Sequence, residues 1–309
     1  MKKLVSTIGM EKREWLKWRT MGIGGSDVSI IAGVNPYRSI FQLWQEKTGQ
    51  VELEEKETEF THFGSILEPI VKREFTRRTG LKVRNRYVIF QNENYPFMLA
   101  DLDGIVYENK KMCIFEAKTA SAYKKEVWEE GVPVEYLYQI QHYMAVTGAE
   151  KTYIAALVGG NCFLYHEVYR DDEMIHKIIE MEKEFWVNCV LKGNPPKADG
   201  SLATTEYLNT VYRESNGKSI ELPSEALLLF EQYDTLSAQI QKLKKEKDTV
   251  MNQMKDYLKD NENGIVGNRQ VTWKSITTTS FDKKRLEKEQ KEIYEKYCTQ
   301  SQYRRIFVA

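Results

Sequence analysis

Cysteine is scarce and scattered in this chain, and that scarcity removes several classes of protein at once. Cys113, Cys162, Cys189 and Cys298 are the only four, and none forms a CxxC pair. Such spacing argues against a zinc site or a thiolate cage for an iron–sulphur cluster, and it suits a reducing compartment. Long apolar runs are missing as well. No stretch reaches the roughly 18 residues that cross a bilayer, and Met1-Lys2-Lys3 is not followed by the apolar core of a signal peptide. The expected compartment is the cytoplasm, with no membrane partner. Net charge is absent too: Lys and Arg number 45, as do Asp and Glu. A nucleic-acid-binding domain is often basic overall, but phosphate affinity depends on local contacts rather than on total charge. A neutral chain that binds DNA must therefore segregate its charge. Arg19, Lys72, Arg73, Arg77 and Arg78 are the candidate basic groove, and Glu52-Leu53-Glu54-Glu55-Lys56-Glu57 reads as a solvated acidic loop.

What the chain does hold is a pair of apolar runs with acids at their ends, Leu102-Asp103-Gly104-Ile105-Val106 and Ile114-Phe115-Glu116-Ala117-Lys118. Residues two apart in a strand share a face, so Glu116 and Lys118 project together. Asn109-Lys110-Lys111 reads as the turn that folds the first strand onto the second. Asp103, Glu116 and Lys118 then converge at a sheet edge. Two carboxylates supply hard oxygens for Mg2+, which takes one or two carboxylates plus water and phosphate. An ammonium beside them can steady an attacking water or the charge developing on phosphorus. The plain alternative is an edge-strand charge pair with no chemistry.

The neighbouring segments carry further candidates. His62 to Phe75 reads as a helix with apolar residues near 3.6 spacing and Glu68 set among them, Pro69 marking a start or kink. Tyr136 to Met144 is a second helix, with Gln139 and Tyr143 one turn apart on one face. Gln139 and Gln141 cannot share a face, so one of them is expected to be buried near the site and the other exposed, and His142, with no histidine at metal spacing, is expected to be structural. Trp15-Leu16-Lys17-Trp18-Arg19 leads into Gly22-Ile23-Gly24-Gly25-Ser26-Asp27, a glycine-rich turn with Ser26 as N-cap of an apolar helix from Val28 to Ala32.

Coarsely, helices occupy the chain to about residue 80. Strands are expected at Arg86 to Phe90, Leu99 to Tyr107 and Met112 to Lys118, then a helix at 134–147. A strand pair follows at Thr152 to Val158 and Cys162 to Val168, then an amphipathic helix from Asp172 to about Leu191, stopped by Gly193-Asn194-Pro195-Pro196. The pattern is α/β with a mixed central sheet. At 309 residues the chain can hold one large domain and an appendage, set here at residues 1–200 and 201–309. The second part reads as a long charged helix, Ser224 to about Lys259, with an apolar stripe that packs on the core or on another subunit. A hairpin through Ile265 to Thr278 turns at Gly267-Asn268, and Arg304 to Val308 could add a closing strand. No internal repeat is evident.

Taken in order, Trp15…Arg19…Ser26, Gly64-x-x-x-Glu68, Asp103-Gly104, Glu116-x-Lys118 and Gln139-x-x-x-Tyr143 resemble the lambda-exonuclease and YqaJ-like phage recombination nucleases. These belong to the restriction-endonuclease-like PD-(D/E)xK superfamily, and the resemblance covers about residues 10–195. It implies Asp103 and Glu116 as metal ligands with the Ala117 carbonyl as a third, and Glu68 as a carboxylate beside the metal. Lys118 corresponds to the catalytic lysine, Gln139 to a polar support, and Arg19 and Ser26 to a pocket for a DNA 5′-phosphate. Leu102 stands where the superfamily has proline, and Asp101 is an additional acid without an assigned role. The implied activity is 5′-to-3′ exonuclease action on double-stranded DNA ends, leaving 3′ single-stranded tails. Mg2+ is the implied cofactor and Mn2+ its substitute. The implied partners are duplex ends, further copies in a ring (a trimer first, a tetramer second) and a single-strand annealing protein, in the cytoplasm of a bacterial host. Two other readings stay open: an endonuclease or RecB-like repair nuclease of the same superfamily, and a non-catalytic DNA-end-binding module.

Overall fold

The computed structural model describes residues 1–51, 58–299 and 302–308, so the acidic run at 52–57 lies outside the described residues. The chain divides into two compact units, Met1–Val211 and Tyr212–Ala309. The first opens with β1 (Lys2–Ser6), α1 (Lys12–Thr20), α2 (Gly25–Ile31), α3 (Ile40–Lys47) and α4 (Glu59–Thr79). The strands β2 (Val88–Gln91), β3 (Leu99–Asp101), β4 (Gly104–Glu108) and β5 (Lys111–Ala120) follow. α5 (Lys125–Glu130), α6 (Val134–Thr147), β6 (Lys151–Val158), β7 (Cys162–Tyr169), α7 (Asp172–Glu184) and α8 (Leu202–Val211) complete it. No helix among the described residues is long and apolar enough to cross a membrane.

The central sheet runs β4-β5-β6-β7 and is mixed: β5 pairs antiparallel with β4 and parallel with β6, and β6 pairs antiparallel with β7. The parallel pair needs a crossover, which α5 and α6 provide. A second sheet, β1-β2-β3, stands apart from it. The sequence reading expected one strand from Leu99 to Tyr107, but the chain leaves the small sheet after Asp101 and enters the large one at Gly104. Leu102 and Asp103 form the step between them. The β4–β5 connection is a two-residue turn with positive φ at Asn109 (49°) and Lys110 (66°). That geometry matches the twist of the flanking strands, and Lys111 already belongs to β5.

Alternation along β5 decides which residues face which layer. Cys113 and Phe115 turn toward α4, where Phe75 packs 4.9 Å from Phe115 and 5.2 Å from Tyr153 between ring centroids. Ile114, Glu116 and Lys118 turn toward α6. The larger core joins Ile23, Val28, Met98, Ile105, Met144 and Ile178. Within it His142 is fully buried, with Nδ1 2.7 Å from a Glu182 carboxylate oxygen and Nε2 2.8 Å from the Leu99 carbonyl. Burial alone would lower the imidazole pKa, but the Glu182 charge together with the hydrogen bonds to Glu182 and the Leu99 carbonyl raises it above its ordinary value. His142 is thus structural, as its lack of histidine partners suggested.

Several expectations need correction. β1 is a strand where only helices were expected; Lys2 and Lys3 mask its pattern, and pairing with β2 supplies its ladder. Gly24, not Ser26, is the N-cap of α2. The Asp27 carboxylate in the first turn accepts the Gly24 N–H at 3.0 Å, leaving Ser26 inside the helix. Pro69 neither starts nor ends α4, which runs through it from the Thr58 cap to Gly80 at φ 74°. Gln141 is buried, its amide donating to the Tyr169 carbonyl and its oxygen accepting the Asp171 N–H. Beyond Glu184, α7 widens into π-type turns from Phe185 to Leu191.

In the second unit, α9 (Ala226–Leu258) precedes the hairpin of β8 (Asn263–Val266) and β9 (Arg269–Thr272), turning at Gly267-Asn268 as expected. The short helices α10 (Lys283–Glu289) and α11 (Lys291–Tyr297) follow. Arg304 to Val308 is not a strand.

Gly25 of α2 lies close against α6. A Cβ there would lie 2.4 Å from Tyr143 Cε1 and 3.0 Å from Gln139 Cγ. Gly25→Ala should therefore lower the unfolding free energy by about 1–3 kcal/mol through overpacking. Urea denaturation of the two proteins measures it, and a difference within about 0.5 kcal/mol, the scale of a neutral surface change, would refute the close packing.

Candidate active site

Asp103 owes its position to the place where β4 begins. Gly104 pairs with Phe115, so past that point the β5 edge has no strand beside it and the Ala117 N–H lacks a ladder partner. The Asp103 carboxylate accepts it at 2.8 Å. The following glycine is required by space, because a Cβ at Gly104 would stand 2.6 Å from Val83 and 3.3 Å from the Arg84 carbonyl.

Glu116 and Lys118 meet on the α6 face. The Lys118 ammonium donates to Glu116 Oε1 at 2.7 Å and to Gln139 Oε1 at 3.0 Å. The Gln139 amide donates in turn to the same Glu116 oxygen at 2.7 Å and to the Tyr143 hydroxyl at 3.1 Å. Lys118 also lies over the Tyr136 ring, 4.8 Å from its centroid. Glu116 is only 2% exposed, yet its Oε2 has no hydrogen-bond partner. A buried unpartnered carboxylate oxygen is costly unless something charged completes it.

Electrostatics distinguish these groups from surface carboxylates. Burial raises the Asp103 pKa well above its ordinary value, and the Glu116 and Glu68 charges push it the same way against Lys118. Burial likewise raises Glu116, despite Lys118. Lys118 goes the other way: burial opposes its charge, but Glu116 and Asp103 prevail and raise its pKa. Glu68 reaches this field from α4 while paired with Lys72.

Arg19 and Ser26 are brought together by the turn between α1 and α2. The Arg19 guanidinium donates to Ser26 Oγ at 2.9 Å, stacks 4.9 Å over Trp15, and lies 3.5 Å from the buried Asp27 carboxylate. Asp27 also pairs with Lys47 at 2.6 Å, and Lys47 donates to the Arg19 and Gly22 carbonyls. Burial alone would raise the Asp27 pKa, but the Lys47 and Arg19 cations outweigh it and hold it well below the usual range. Asp101 accepts the Trp15 indole N–H at 2.7 Å, which gives the unassigned acid a role in fixing α1.

A single cavity of about 1180 Å³ is lined by every residue singled out for the site: Arg19, Ser26, Glu68, Asp103, Glu116, Ala117, Lys118 and Gln139. The basic set does not hold together so well. Lys72 lines the cavity but is tied to Glu68 and Asn85, and Arg77 and Arg78 sit on Glu74 outside it. Among the described residues, no three His, Cys, Asp or Glu side chains are spaced to hold a metal by themselves. Asp103 and Glu116, with Ala117 beside Glu116 on β5, are the groups that could hold one, and the unpartnered Glu116 oxygen suits a hard cation. Sequence reasoning missed Asp27 and Lys47. Ser26-Asp27 at the glycine turn was a visible cue for the first, but nothing in the sequence tied Lys47 to it.

Known proteins resemble this chain in sequence and in fold. The YqaJ-like viral recombinase domain matches residues 14–150. The chain is 42% identical over 301 residues to "Uncharacterized protein YqaJ" of Bacillus subtilis (strain 168), covering 96% of this chain and 94% of that protein. Among solved structures, LHK-Exo in complex with dAMP superposes with a TM-score of 0.50 at 19% identity, covering 65% of this chain and 99% of that one. LHK-Exo is an alkaline exonuclease from Laribacter hongkongensis. A phage related exonuclease from Haemophilus somnus 129PT gives 0.44 at 13%, covering 58% and 99%. The chain belongs to the YqaJ-like viral recombinase family and has the restriction-endonuclease-like fold of the alkaline exonucleases.

Proposed function

We propose that this protein is a Mg2+-dependent 5′-to-3′ exonuclease that resects double-stranded DNA ends to 3′ single-stranded tails for phage-type recombination. The observation that carries this reading is the buried, unpartnered Glu116 oxygen in a cavity shared with Asp103, Lys118 and the Arg19–Ser26 pair. Asp103, Glu116 and the Ala117 carbonyl are the residues to hold the ion. When bound, Mg2+ supplies positive charge against the oxygens of the scissile phosphate.

The chain's own residues do the remaining work. Lys118 is fixed on three sides by Glu116, Gln139 and the Tyr136 ring, so its ammonium can face charge developing on phosphorus without reorganising. Gln139 holds the carboxylate and the ammonium at once, which sets their separation. Arg19 offers a planar, permanently charged fork, and Asp27 and Trp15 orient it beforehand. A terminal phosphate carries more charge than an internal diester, so such a fork favours a 5′ end.

A linear duplex labelled at one end tests the reading. Mg2+ should give shortening from 5′ termini and EDTA none; loss from 3′ termini or from internal sites would overturn it. Asp103→Asn or Glu116→Gln should abolish cleavage. Lys118→Ala should keep metal binding while lowering turnover by roughly 10²–10³-fold, and near-normal turnover would remove Lys118 from the chemistry.

A pH dependence follows from the raised Asp103 and Glu116 pKa values. Metal binding needs both carboxylates deprotonated, and a raised pKa keeps the proton competing to higher pH. The Mg2+ concentration for half-maximal cleavage should therefore fall as pH rises from about 6 to about 9. A flat titration across that window would contradict the buried-acid account.

Arg19→Ala should erase most of the rate advantage of 5′-phosphate over 5′-hydroxyl duplex. Equal wild-type rates on the two ends would reduce Arg19 and Ser26 to a helix-packing pair.

A further inference from the structure

The apolar stripe of α9 has a spacing that a packed surface helix does not need. Leu229, Leu236, Leu243, Val250 and Tyr257 recur every seventh residue. Tyr233, Ile240, Lys247 and Met254 recur with them, four residues after one and three before the next. A strict 3.5-residue repeat held over these four turns of seven drifts off one face of a straight helix and is kept in line only by supercoiling around another helix. Yet the seam is uncovered: Ile240 and Leu243 are 64% and 63% exposed. The helix spans Ala226–Leu258, roughly 50 Å at 1.5 Å per residue, and only Leu258 at its end is buried. A periodic helix of this length, its seam uncovered by the described residues of its own unit, is the pattern of a coiled coil.

We propose that α9 pairs with α9 of a second copy of this chain as a parallel two-stranded coiled coil. The residue types select that occupant. Leucine fills the first three of the five d positions and isoleucine the central a position, the combination that favours two strands in parallel. One lysine at an a position, Lys247, lays its stem along the seam with the ammonium at the rim, which fixes register and disfavours higher strand numbers.

Flanking charges agree with self-pairing in parallel. Gln232 then faces Ser237 of the second copy, Gln239 faces Lys244, and Glu246 faces Met251, so none of these pairs joins like charges. An antiparallel pair that sets Tyr233 opposite Tyr257 would instead bring Lys244 against its own counterpart and Glu246 against its own, both repulsive. The antiparallel pair that sets Tyr233 opposite Val250 escapes both, and against that one the leucine and isoleucine positions decide for the parallel pair. The seam lies in residues 226–258, apart from the cavity-lining residues, and stands whether or not the nuclease reading does.

Such pairing constrains any larger assembly. A three-membered ring would be tied to a second ring, and a four-membered ring would hold its chains in pairs. Light scattering on the full-length protein should therefore give an even multiple of 36.2 kDa, and a monomer or a trimer would overturn the proposal. Leu236→Glu combined with Leu243→Glu should halve that mass.

Because that variant could unfold the helix, crosslinking provides a second measurement. With Cys298→Ser in the background, Leu236→Cys should give a disulfide-linked dimer on mild oxidation, since paired d positions bring the two Cβ atoms into range. Ala238→Cys, on the opposite face, should link at least tenfold more slowly. Equal rates at the two positions would overturn the seam. Linkage of Leu236→Cys chains only to Met254→Cys or only to Lys247→Cys chains, the two antiparallel registers, would overturn the parallel arrangement.

Discussion

Negative charge held out of water is the constraint on which the rest of this structure depends. Asp103, Glu116 and Glu68 repel one another in one cavity, and Lys118 offsets the first two, by a hydrogen bond to Glu116 and through space to Asp103. Uncompensated buried carboxylates are strongly destabilising, so the fold must supply fixed donors wherever geometry allows. It does so with the Ala117 N–H left over where β4 begins, and with the Gln139 amide on α6. Both donors belong to rigid elements, which is what a site held to sub-ångström tolerance requires.

That arrangement propagates outward. Gln139 can reach Glu116 only if α6 lies close on the sheet, and Tyr143, its hydrogen-bond partner one turn on, lies against α2. The absence of a side chain at Gly25 permits the contact, and α2 in turn carries Ser26 and Asp27. The Arg19 fork is therefore coupled mechanically to the buried carboxylates through two helices. His142, one residue before Tyr143, ties α6 to α7 through Glu182 and to β3 through the Leu99 carbonyl. One helix thus reads both the site and the core.

Legibility in the sequence followed the range of the interaction. Glu116 and Lys118 could be placed together because strand alternation is local, and the mixed sheet could be read because its strands are apolar and bounded by turns. Asp103 was found for the same reason, although the break that positions it, between β3 and β4, was not. The N-cap of α2 was misread because Ser26 and Asp27 are both good cap residues. The cap falls to Gly24, whose N–H the Asp27 carboxylate accepts from within the first turn, held there by Lys47 and Arg19. Gln141 was misassigned to solvent because its partners, Tyr169 and Asp171, come from a later strand and turn. β1 was missed because Lys2 and Lys3 hide a pairing that exists only once β2 is in place. Charge clusters misled most: Arg77 and Arg78 look like a phosphate surface in the sequence but are answered within one turn by Glu74.

That last case bears on where a neutral chain can present positive charge. Helix-surface pairs such as Arg77–Glu74 cancel locally and contribute little field at a distance. Buried pairs behave differently, because Asp27 spends its charge on Lys47 and orients Arg19 while leaving the guanidinium part-exposed at the cavity. Positive potential at the site then comes from a few preorganised groups rather than from a basic face. Net charge says little about such a protein; the placement of its buried carboxylates decides where an anion can sit.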